Sequence, residues 1–350
     1  MTPQISVIMP VRDGARWLGE AIASLQDQTL SDFELIIIDD GSVDDSPQII
    51  DAYSRRDPRI NSIRQQRLGL VPALNRGLAE SHSQLIARFD ADDRAHPLRL
   101  QRQSLYLESH PEVGLLGTWA DKIDEYGSVR GSLKPPTRPE QLASLLARTN
   151  PFVHSSIMLR KSVLQTVGIY RPAFEGAEDY DLWMRMSEVT KAANLPECLL
   201  QYRVHPASAT HRTRVRQLFS ARLAQRAAQA RRANAQDPTS ELTAPPNWQT
   251  LESLTSPIYG DLTRLFRLID LADSSNIVGT NGDHIDISAL SDRNVALNHA
   301  ERRMAQLALL NLLKRGVTMS RATRTALLRH FIQLHPLRAI RLGYQALWKN

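Results

Sequence analysis

Three aspartates stand close together in one short stretch, QLIARFDADDRAHP, at residues 84–97. Asp90, Asp92 and Asp93 directly follow an apolar run, and carboxylates that close repel one another unless something offsets their charge. Hard divalent cations such as Mg2+ and Mn2+ prefer carboxylate oxygens and commonly keep water or a substrate phosphate in their remaining positions. The alternative is a solvated acidic loop in which one Asp caps the helix that begins near Pro97.

A second acidic pair, Asp39-Asp40, ends the apolar run of IIIDDGS. A carboxylate there could accept hydrogen bonds from a nucleobase N–H or a ribose hydroxyl, and Asp40 is our candidate. The competing interpretation is a strand end followed by a turn, for which Gly41 and Ser42 are typical residues.

A third acidic pair lies in EGAEDYDLWMRM, where Glu178 and Asp179 precede an amphipathic pattern. Acids in the first turn of a helix interact favourably with the helix dipole, which would explain both residues without any chemistry. Alternatively, one of them is a general base, which needs a suitable pKa and hydrogen-bond reach to a substrate hydroxyl.

The first 120 residues alternate between predicted strands and predicted helices, which is the pattern of a parallel sheet covered on both faces. The predicted strands are 5–10, 33–40, 60–64, 84–90 and 113–119, and the predicted helices are 15–28, 46–56, 72–82 and 97–110. In such sheets, ligands bind outside the carboxyl ends of the strands. We therefore expect the two aspartate groups at residues 39–40 and 90–93 to line one crevice.

The pattern changes after KPPTRP, and a second half follows that we expect to form the other wall of the crevice. Helices are predicted at 140–149 and 177–189, and strands at 154–160 and 198–205. From about Ala207 the chain becomes helical and rich in Arg and Ala. We predict a catalytic domain at 1–209 and a basic, mainly helical region at 210–350.

Composition limits the classes of protein that this chain can be. It has 350 residues, a net charge of +6 and one cysteine, so no intramolecular disulfide can form. The first ten residues lack the basic start of a signal peptide, and no apolar run approaches the roughly 20 residues of a membrane span. We expect a cytoplasmic protein.

Seven segments, taken in order, resemble the family 2 glycosyltransferases, which bind nucleotide sugars with a GT-A fold. The segments are 6–29, 33–46, 73–81, 87–100, 150–164, 168–186 and 199–208. The resemblance covers residues 4 to 209 and implies an α/β fold: a Rossmann-like mixed, mainly parallel sheet flanked by helices. The residues after 209 would form a helical C-terminal extension.

The resemblance implies a role for each candidate residue. The donor nucleotide sugar would be bound by Pro10, Val11, Arg12, Asp13, Asp40, Asp90, Ala91 and Asp92, with Asp40 at the base. Asp93 would bind the metal, with His205 beside it near the diphosphate. Asp179 would be the general base, and His154 and Glu178 would lie on the acceptor side.

The implied activity is inverting transfer of one sugar from a nucleoside-diphosphate sugar, with a UDP-sugar favoured, to a glycan or a lipid-linked acceptor. Mn2+ or Mg2+ would be the cofactor, and surface polysaccharide or lipopolysaccharide assembly the setting. Arg12-Asp13 stands where the family commonly has an aromatic-Asn pair, although a guanidinium can also stack on a base. The Q-x-x-R-W motif and membrane spans of processive synthases are not found in the sequence.

Two other functions compete with this one. A nucleotidyltransferase also uses an α/β sheet and carboxylate-bound Mg2+, but PVRDGARW is a poor match to the Gly-rich, basic phosphate loop expected there. A catalytically silent nucleotide-sugar-binding scaffold with a basic docking tail is the non-enzymatic alternative. The presence of Asp92, Asp93 and Asp179 together argues against it.

The net positive charge is concentrated in the C-terminal region, where residues 210–350 contain about 20 Lys and Arg against about 10 Asp and Glu. Ile340, Tyr344, Leu347 and Trp348 fall on one helical face near several cations. This pattern is typical of a solvated helical appendage, or of peripheral attachment to the anionic inner face of the cytoplasmic membrane. Nucleic acid is not an expected partner, because no interleaved aromatics or known module accompany the charge.

Removal of residues 330–350 is expected to release the protein from anionic liposomes, since each basic residue near such a surface contributes about 1 kcal/mol. Co-sedimentation of the full-length and truncated chains measures the effect. Equal co-sedimentation of the two chains would contradict membrane docking by this tail.

Overall fold

The computed structural model describes residues 2–205 and 214–246, with the backbone alone at residues 214 and 215. The predicted docking tail at 330–350 and most of the predicted C-terminal region lie outside the described residues. Membrane attachment through the tail therefore stays a prediction. Among the described residues, no helix combines the length and the apolar character needed to cross a bilayer.

The described strands form one mixed sheet whose central strands are mainly parallel. They are β1 (Ile5–Val11), β2 (Phe33–Asp40), β3 (Ile60–Gln65), β4 (Leu85–Arg88), β5 (Arg94–Ala95), β6 (Val113–Ile123), β7 (Val129–Leu133), β8 (Met158–Arg160) and β9 (Lys191–Arg203). Their order is β3-β2-β1-β4-β8-β6-β9-β5, with β7 paired to β6. β8 runs antiparallel to both neighbours, so β3, β2, β1, β4, β6 and β9 share one direction.

The helices flank this sheet. They are α1 (Ala15–Gln26), α2 (Ser46–Ser54), α3 (Leu70–Glu80), α4 (Arg99–Ser109), α5 (Pro139–Leu146), α6 (Lys161–Val167), α7 (Glu178–Met186) and α8 (Arg214–Arg232). Short 3-10 turns occupy His154–Ser156 and Pro172–Phe174. The mixed, mainly parallel sheet with flanking helices is confirmed.

Strand β2 shows why the sheet is covered on both faces. Its residues from 35 to 38 are all buried, although successive side chains point to opposite sides. Leu35 and Ile37 pack in the larger core cluster together with α1, while Ile36 and Ile38 pack against Ala73 of α3. A continuous apolar run is therefore required, and it places the acidic pair Asp39-Asp40 at the carboxyl edge.

Two short strands and one helix were not predicted from the sequence: β5, β7 and α6. The two residues of β5 are a strand because Arg94 and Ala95 pair with Gln201 and Leu200 of β9. This pairing joins segments about a hundred residues apart, so no local sequence pattern predicts it. β7 is exposed along most of its length and pairs with β6 alone.

Helix α8, which was predicted to open the C-terminal region, packs on the catalytic unit. The Ser220 hydroxyl donates to the carbonyl of Glu175 at 2.8 Å. Arg231 bonds Glu188 at 2.9 Å and Asp237 at 2.6 Å. The compact unit accordingly extends to Pro245. The rest of the predicted region 210–350 stays a prediction.

Two leucines of α4 offer a matched test of the core. Leu107 has 0% of its surface exposed and Leu105 has 54%. Leu107→Ala is expected to lower the free energy of unfolding by about 2–5 kcal/mol, because it leaves a cavity in a close-packed interior. Leu105→Ala should change it by less than about 0.5 kcal/mol. Guanidinium denaturation compares the two, and equal losses would contradict the burial described here.

Candidate functional site

The three aspartates of DADD lie together after the end of β4. Each of Asp90, Asp92 and Asp93 contributes a carboxylate oxygen, and these oxygens lie within 4.8 Å of one another. Asp93 is 1% exposed, whereas the other two are half-buried. This is an oxygen-rich donor set at the strand edge where the sequence predicts a crevice.

Asp93 is the most deeply placed member of the cluster. Its Oδ1 accepts a hydrogen bond from the backbone N–H of Arg203 at 2.8 Å. Its buried Oδ2 has no hydrogen-bond partner among the described residues. Burial, reinforced by the charges of Asp90 and Asp92, raises the pKa of Asp93 well above its usual value. A carboxylate in this setting needs a cation or a proton to offset its charge.

His205 joins the cluster from the residues that follow β9. Its Nε2 lies 2.9 Å from Oδ2 of Asp92, and its ring packs on Trp17 with centroids 4.3 Å apart. Its Nδ1 is buried without a hydrogen-bond partner in the described part of the chain. Carboxylate oxygens suit Mg2+ and Mn2+, so the three aspartates fit the divalent cation that the sequence predicts.

Arg203 fixes the position of the acidic loop, and sequence reasoning did not identify it. Its Nε donates to the carbonyl of Asp92 at 2.7 Å and its Nη2 to Glu20 at 2.8 Å. Its Nη1 donates to the carbonyls of Asp124 and Glu125, each at 3.2 Å. One buried guanidinium thus holds the acidic loop, α1 and the β6–β7 turn together.

Asp40 lies at the predicted edge, but its carboxylate faces the protein. Oδ1 accepts from the Gln65 side chain and the Leu68 backbone, both at 2.8 Å, and Oδ2 accepts from the Gly69 backbone at 2.9 Å. Its neighbour Asp39 accepts from the Ser42 backbone through Oδ1. Through these hydrogen bonds, the carboxylate of Asp40 orders the loop before α3.

The segment from Pro10 to Asp13 forms the adjacent edge of the crevice. Val11 pairs in register with Asp39, and the chain then turns outward so that Arg12 and Asp13 are exposed. Asp13 adopts a left-handed backbone with φ of 49°, which Asp tolerates better than most residues. Its Oδ1 accepts from the Val43 backbone at 2.9 Å, which joins this edge to the loop after β2.

The start of α7, which the sequence predicts as the other wall of the crevice, carries a second acidic group. Oδ2 of Asp179 accepts from the Asn150 side chain and Oδ1 from the Tyr180 backbone, both at 2.7 Å. Burial raises the pKa of Asp179. Burial and the charge of Asp179 raise the pKa of Glu178 to about 7, and Glu178 accepts from the Gly176 backbone at 2.7 Å.

His154 lies on the same wall within an aromatic group. Its Nε2 is 3.0 Å from the Tyr170 hydroxyl, and its ring meets Trp183 edge-on with centroids 5.9 Å apart. Burial, together with the positive charge of Arg88, lowers its pKa well below the usual value. It is therefore a neutral hydrogen-bonding group.

Arg88 connects the two walls, and the sequence did not identify it either. It is buried at the end of β4 and contacts the Asp90 carboxylate. Its positive charge also lowers the pKa of Glu178 and of Asp179 against the opposing effect of burial. The acidic cluster and the acids of α7 therefore share one local field around a buried guanidinium.

The structure thus brings together Asp90, Asp92, Asp93 and His205 on one side and Glu178, Asp179 and His154 on the other. Ala91 lies within the acidic loop and is half-buried. Such a site can hold a divalent cation at one wall and remove a proton at the other.

Known proteins resemble this chain in sequence, and solved structures resemble it in fold. The Glycosyl transferase family 2 model matches residues 6–168. The putative glycosyltransferase EpsE of Bacillus subtilis is 36% identical over 206 residues, which cover 57% of this chain and 73% of EpsE. The chain belongs to glycosyl transferase family 2. The family 2 relative WbnJ of Escherichia coli, an O-antigen biosynthesis glycosyltransferase, is 35% identical over 58% of this chain and 81% of its own.

Solved structures share the fold of this family 2 glycosyltransferase at low sequence identity. TarS 1-349 of S. aureus, in complex with UDP-GlcNAc, gives a TM-score of 0.60 at 16% identity, covering 97% of this chain and 92% of its own. The mannosyltransferase PcManGT of Pyrobaculum calidifontis gives a TM-score of 0.51 at 18% identity, covering 100% and 88%. The predicted GT-A fold is confirmed.

The raised pKa of Glu178 has a consequence for stability. An acid that holds its proton more tightly when folded stabilises the protein at low pH, and that contribution is lost as pH rises from about 4.5 towards about 7. Glu178→Gln should therefore flatten the fall in unfolding free energy across this window. Denaturation at several pH values tests this, with the exposed Glu175→Gln as a control. Identical pH profiles for wild type and both variants would contradict it.

Proposed function

We propose that this glycosyltransferase moves one sugar from a nucleoside-diphosphate sugar to an acceptor hydroxyl with inversion, using Mn2+ or Mg2+. The observation that carries the proposal is that two acidic groups from different parts of the chain both lie within reach of the charge of the buried Arg88. A cluster suited to a cation lies at the carboxyl end of β4, a carboxylate with a raised pKa begins α7, and Arg88 lies between them.

The donor assignment is supported by proteins of the same fold. TarS has been crystallised with UDP-GlcNAc, and PcManGT with GDP-Man and Mn2+. We favour a UDP-sugar for this chain. Pro10, Val11, Arg12 and Asp13 would line the nucleotide pocket. The exposed Arg12 guanidinium, which lies 3.8 Å from the Asp13 carboxylate, would stack on the base.

The base of the nucleotide would lie beside the Asp39-Asp40 edge. Asp40 would act there through the loop that it orders, since both of its oxygens already accept hydrogen bonds from that loop. Asp39 keeps a buried Oδ2 without a hydrogen bond in the described residues, 3.4 Å from the Arg64 guanidinium. We therefore add Asp39 to the donor-binding candidates.

Asp93 and His205 would hold the cation, with Asp92 between them and Asp90 and Ala91 completing the donor-binding loop. When bound, the cation would offset the negative charge of the donor diphosphate and of the leaving nucleotide. The buried Oδ2 of Asp93, for which the described residues supply no hydrogen-bond partner, supports this assignment, as does the proximity of His205 to Asp92.

Asp179 would be the general base. Each of its oxygens already accepts one hydrogen bond from the protein, which orients the carboxylate and leaves further lone pairs for a substrate hydroxyl. A base of this kind takes the hydroxyl proton as the oxygen attacks the anomeric carbon from the face opposite the nucleotide. One displacement without a covalent intermediate inverts the configuration.

The acceptor would enter on the side of His154 and Glu178. Half-buried and neutral, His154 can orient a hydroxyl without competing for its proton. Two relatives support a place in surface-polysaccharide assembly: WbnJ is an O-antigen biosynthesis glycosyltransferase, and AmsE of Erwinia amylovora is an amylovoran biosynthesis glycosyltransferase. Such assembly is consistent with a glycan or lipid-linked acceptor, at the inner face of the cytoplasmic membrane.

Purified protein screened against nucleotide sugars with Mn2+ or Mg2+ should release nucleoside diphosphate slowly from one donor. EDTA should abolish the release, and Asp93→Ala should abolish both the release and the binding of Mn2+ followed by electron paramagnetic resonance. Asp179→Asn should keep donor binding but lower sugar transfer by about 10²–10⁴-fold, the usual contribution of a general base.

The exposed Glu175→Gln, three residues before Glu178, is the matched control and should behave as wild type. Donor binding without turnover, unchanged in Asp179→Asn, would contradict the proposal and favour a catalytically silent nucleotide-sugar-binding scaffold. Full turnover in the presence of EDTA would contradict the metal assignment alone.

A further inference from the structure

A concave surface lies beside α5, apart from the carboxylate cluster. It is an open cleft of about 790 Å³ bounded by β6, the segment after β7 and α5. Trp119, Lys134 and Arg148 are among the residues that line it. We propose that this cleft binds an acidic glycan. Its identification as part of the acceptor rests on the proposed transferase function.

Two basic side chains, Lys134 and Arg148, make the cleft attractive to an anion. Lys134 and Arg148 are both exposed, and neither forms an ion pair with a carboxylate within the described ranges 2–205 and 214–246. The Lys134 ammonium lies 5.3 Å from the centroid of the Trp119 ring, a cation–π contact that keeps it over the cleft wall. Together with the single carboxylate of Glu140, the two cations leave the lining with a net positive charge, which favours an anionic ligand.

Trp119 provides an aromatic surface in the cleft. Its ring is half-buried, and its Nε1 donates to the carbonyl of Pro135 at 2.9 Å, which fixes the orientation of the indole. Beside the Lys134 ammonium, the fixed indole offers apolar contact to the C–H face of a pyranose ring. Glu140, Gln141 and Ser144 of α5 supply acceptors and donors for sugar hydroxyls.

The residues that line the cleft also favour the binding of a glycan over that of other anions. Glu140 places a carboxylate in the cleft, which disfavours densely charged ligands such as inorganic phosphate or an anionic lipid headgroup. A uronic acid residue has one carboxylate and several hydroxyls, so it can use the two cations, the indole and Glu140 together.

Arg148, at one end of the cleft, is linked by hydrogen bonds to the segment that positions the candidate base Asp179. The carbonyl of Arg148 accepts from the Gln225 side chain at 3.0 Å, and that amide also bonds the Tyr180 hydroxyl at 2.9 Å. Two residues beyond Arg148, Asn150 donates to Asp179. A glycan held in the cleft would therefore contact a segment that also positions the base, as an acceptor subsite requires.

The test measures binding directly, with a galacturonic acid hexasaccharide as the acidic probe and maltohexaose as the neutral one. The wild type should bind the acidic probe at least about tenfold more tightly, with a change in tryptophan fluorescence that Trp119→Phe abolishes. Lys134→Gln combined with Arg148→Gln should weaken acidic-probe binding by about tenfold or more. Arg56→Gln, which removes one exposed charge just beyond the end of α2, should leave it unchanged.

Equal affinity for the two probes, or unchanged binding in the double variant, would overturn the proposal. Competition by inorganic phosphate or by phosphatidylglycerol vesicles as effective as that by the acidic probe would also overturn it, in favour of a general anion surface. Donor turnover by the wild type is measured separately. Its absence would overturn the proposed function, and with it the acceptor role, while probe binding would still decide whether the cleft is a glycan site.

Discussion

Crowded carboxylates at the end of β4 are the constraint around which the site is organised. Asp90, Asp92 and Asp93 lie within 4.8 Å of one another, and charges that close are costly when partly removed from water. Arg88 contacts Asp90, and Arg203 donates to the acidic loop through its side chain and its backbone. Buried guanidinium groups thus offset part of the repulsion, and a divalent cation would offset more of it.

The same balance explains why distant elements meet at this point. Arg99 of α4 is fully buried and donates to the carbonyl of Arg88 at 2.8 Å, although burial lowers its pKa to about 9. Arg88 in turn influences the acids at the start of α7, whose own pKa values are raised by burial. Loss of one of these cations would leave buried carboxylates uncompensated, which is more costly than the loss of an exposed ion pair.

Different segments of the chain contribute different parts of the candidate site. The chain up to Asp93 contributes the proposed nucleotide edge and the acidic loop. Helices α5 and α7 and the residues between them contribute the proposed base and the proposed acceptor cleft. Helix α8 packs on α7 through Tyr180 and Gln225, so part of the Arg-rich segment stabilises the catalytic unit instead of forming a separate basic surface. Its arginine Arg231 pairs with carboxylates of that unit.

By itself, the sequence determined the strand–helix alternation, the buried sheet and the position of each acidic group at an element boundary, because apolar periodicity and strand ends are local properties. The tertiary structure alone decided which groups meet. Asp93 bonds a backbone 110 residues away, and Asp92 meets His205 across 113 residues. The inward-facing Asp40 and the two-residue strand β5 likewise depend on partners 25 or more residues away, and no local pattern encodes such partners.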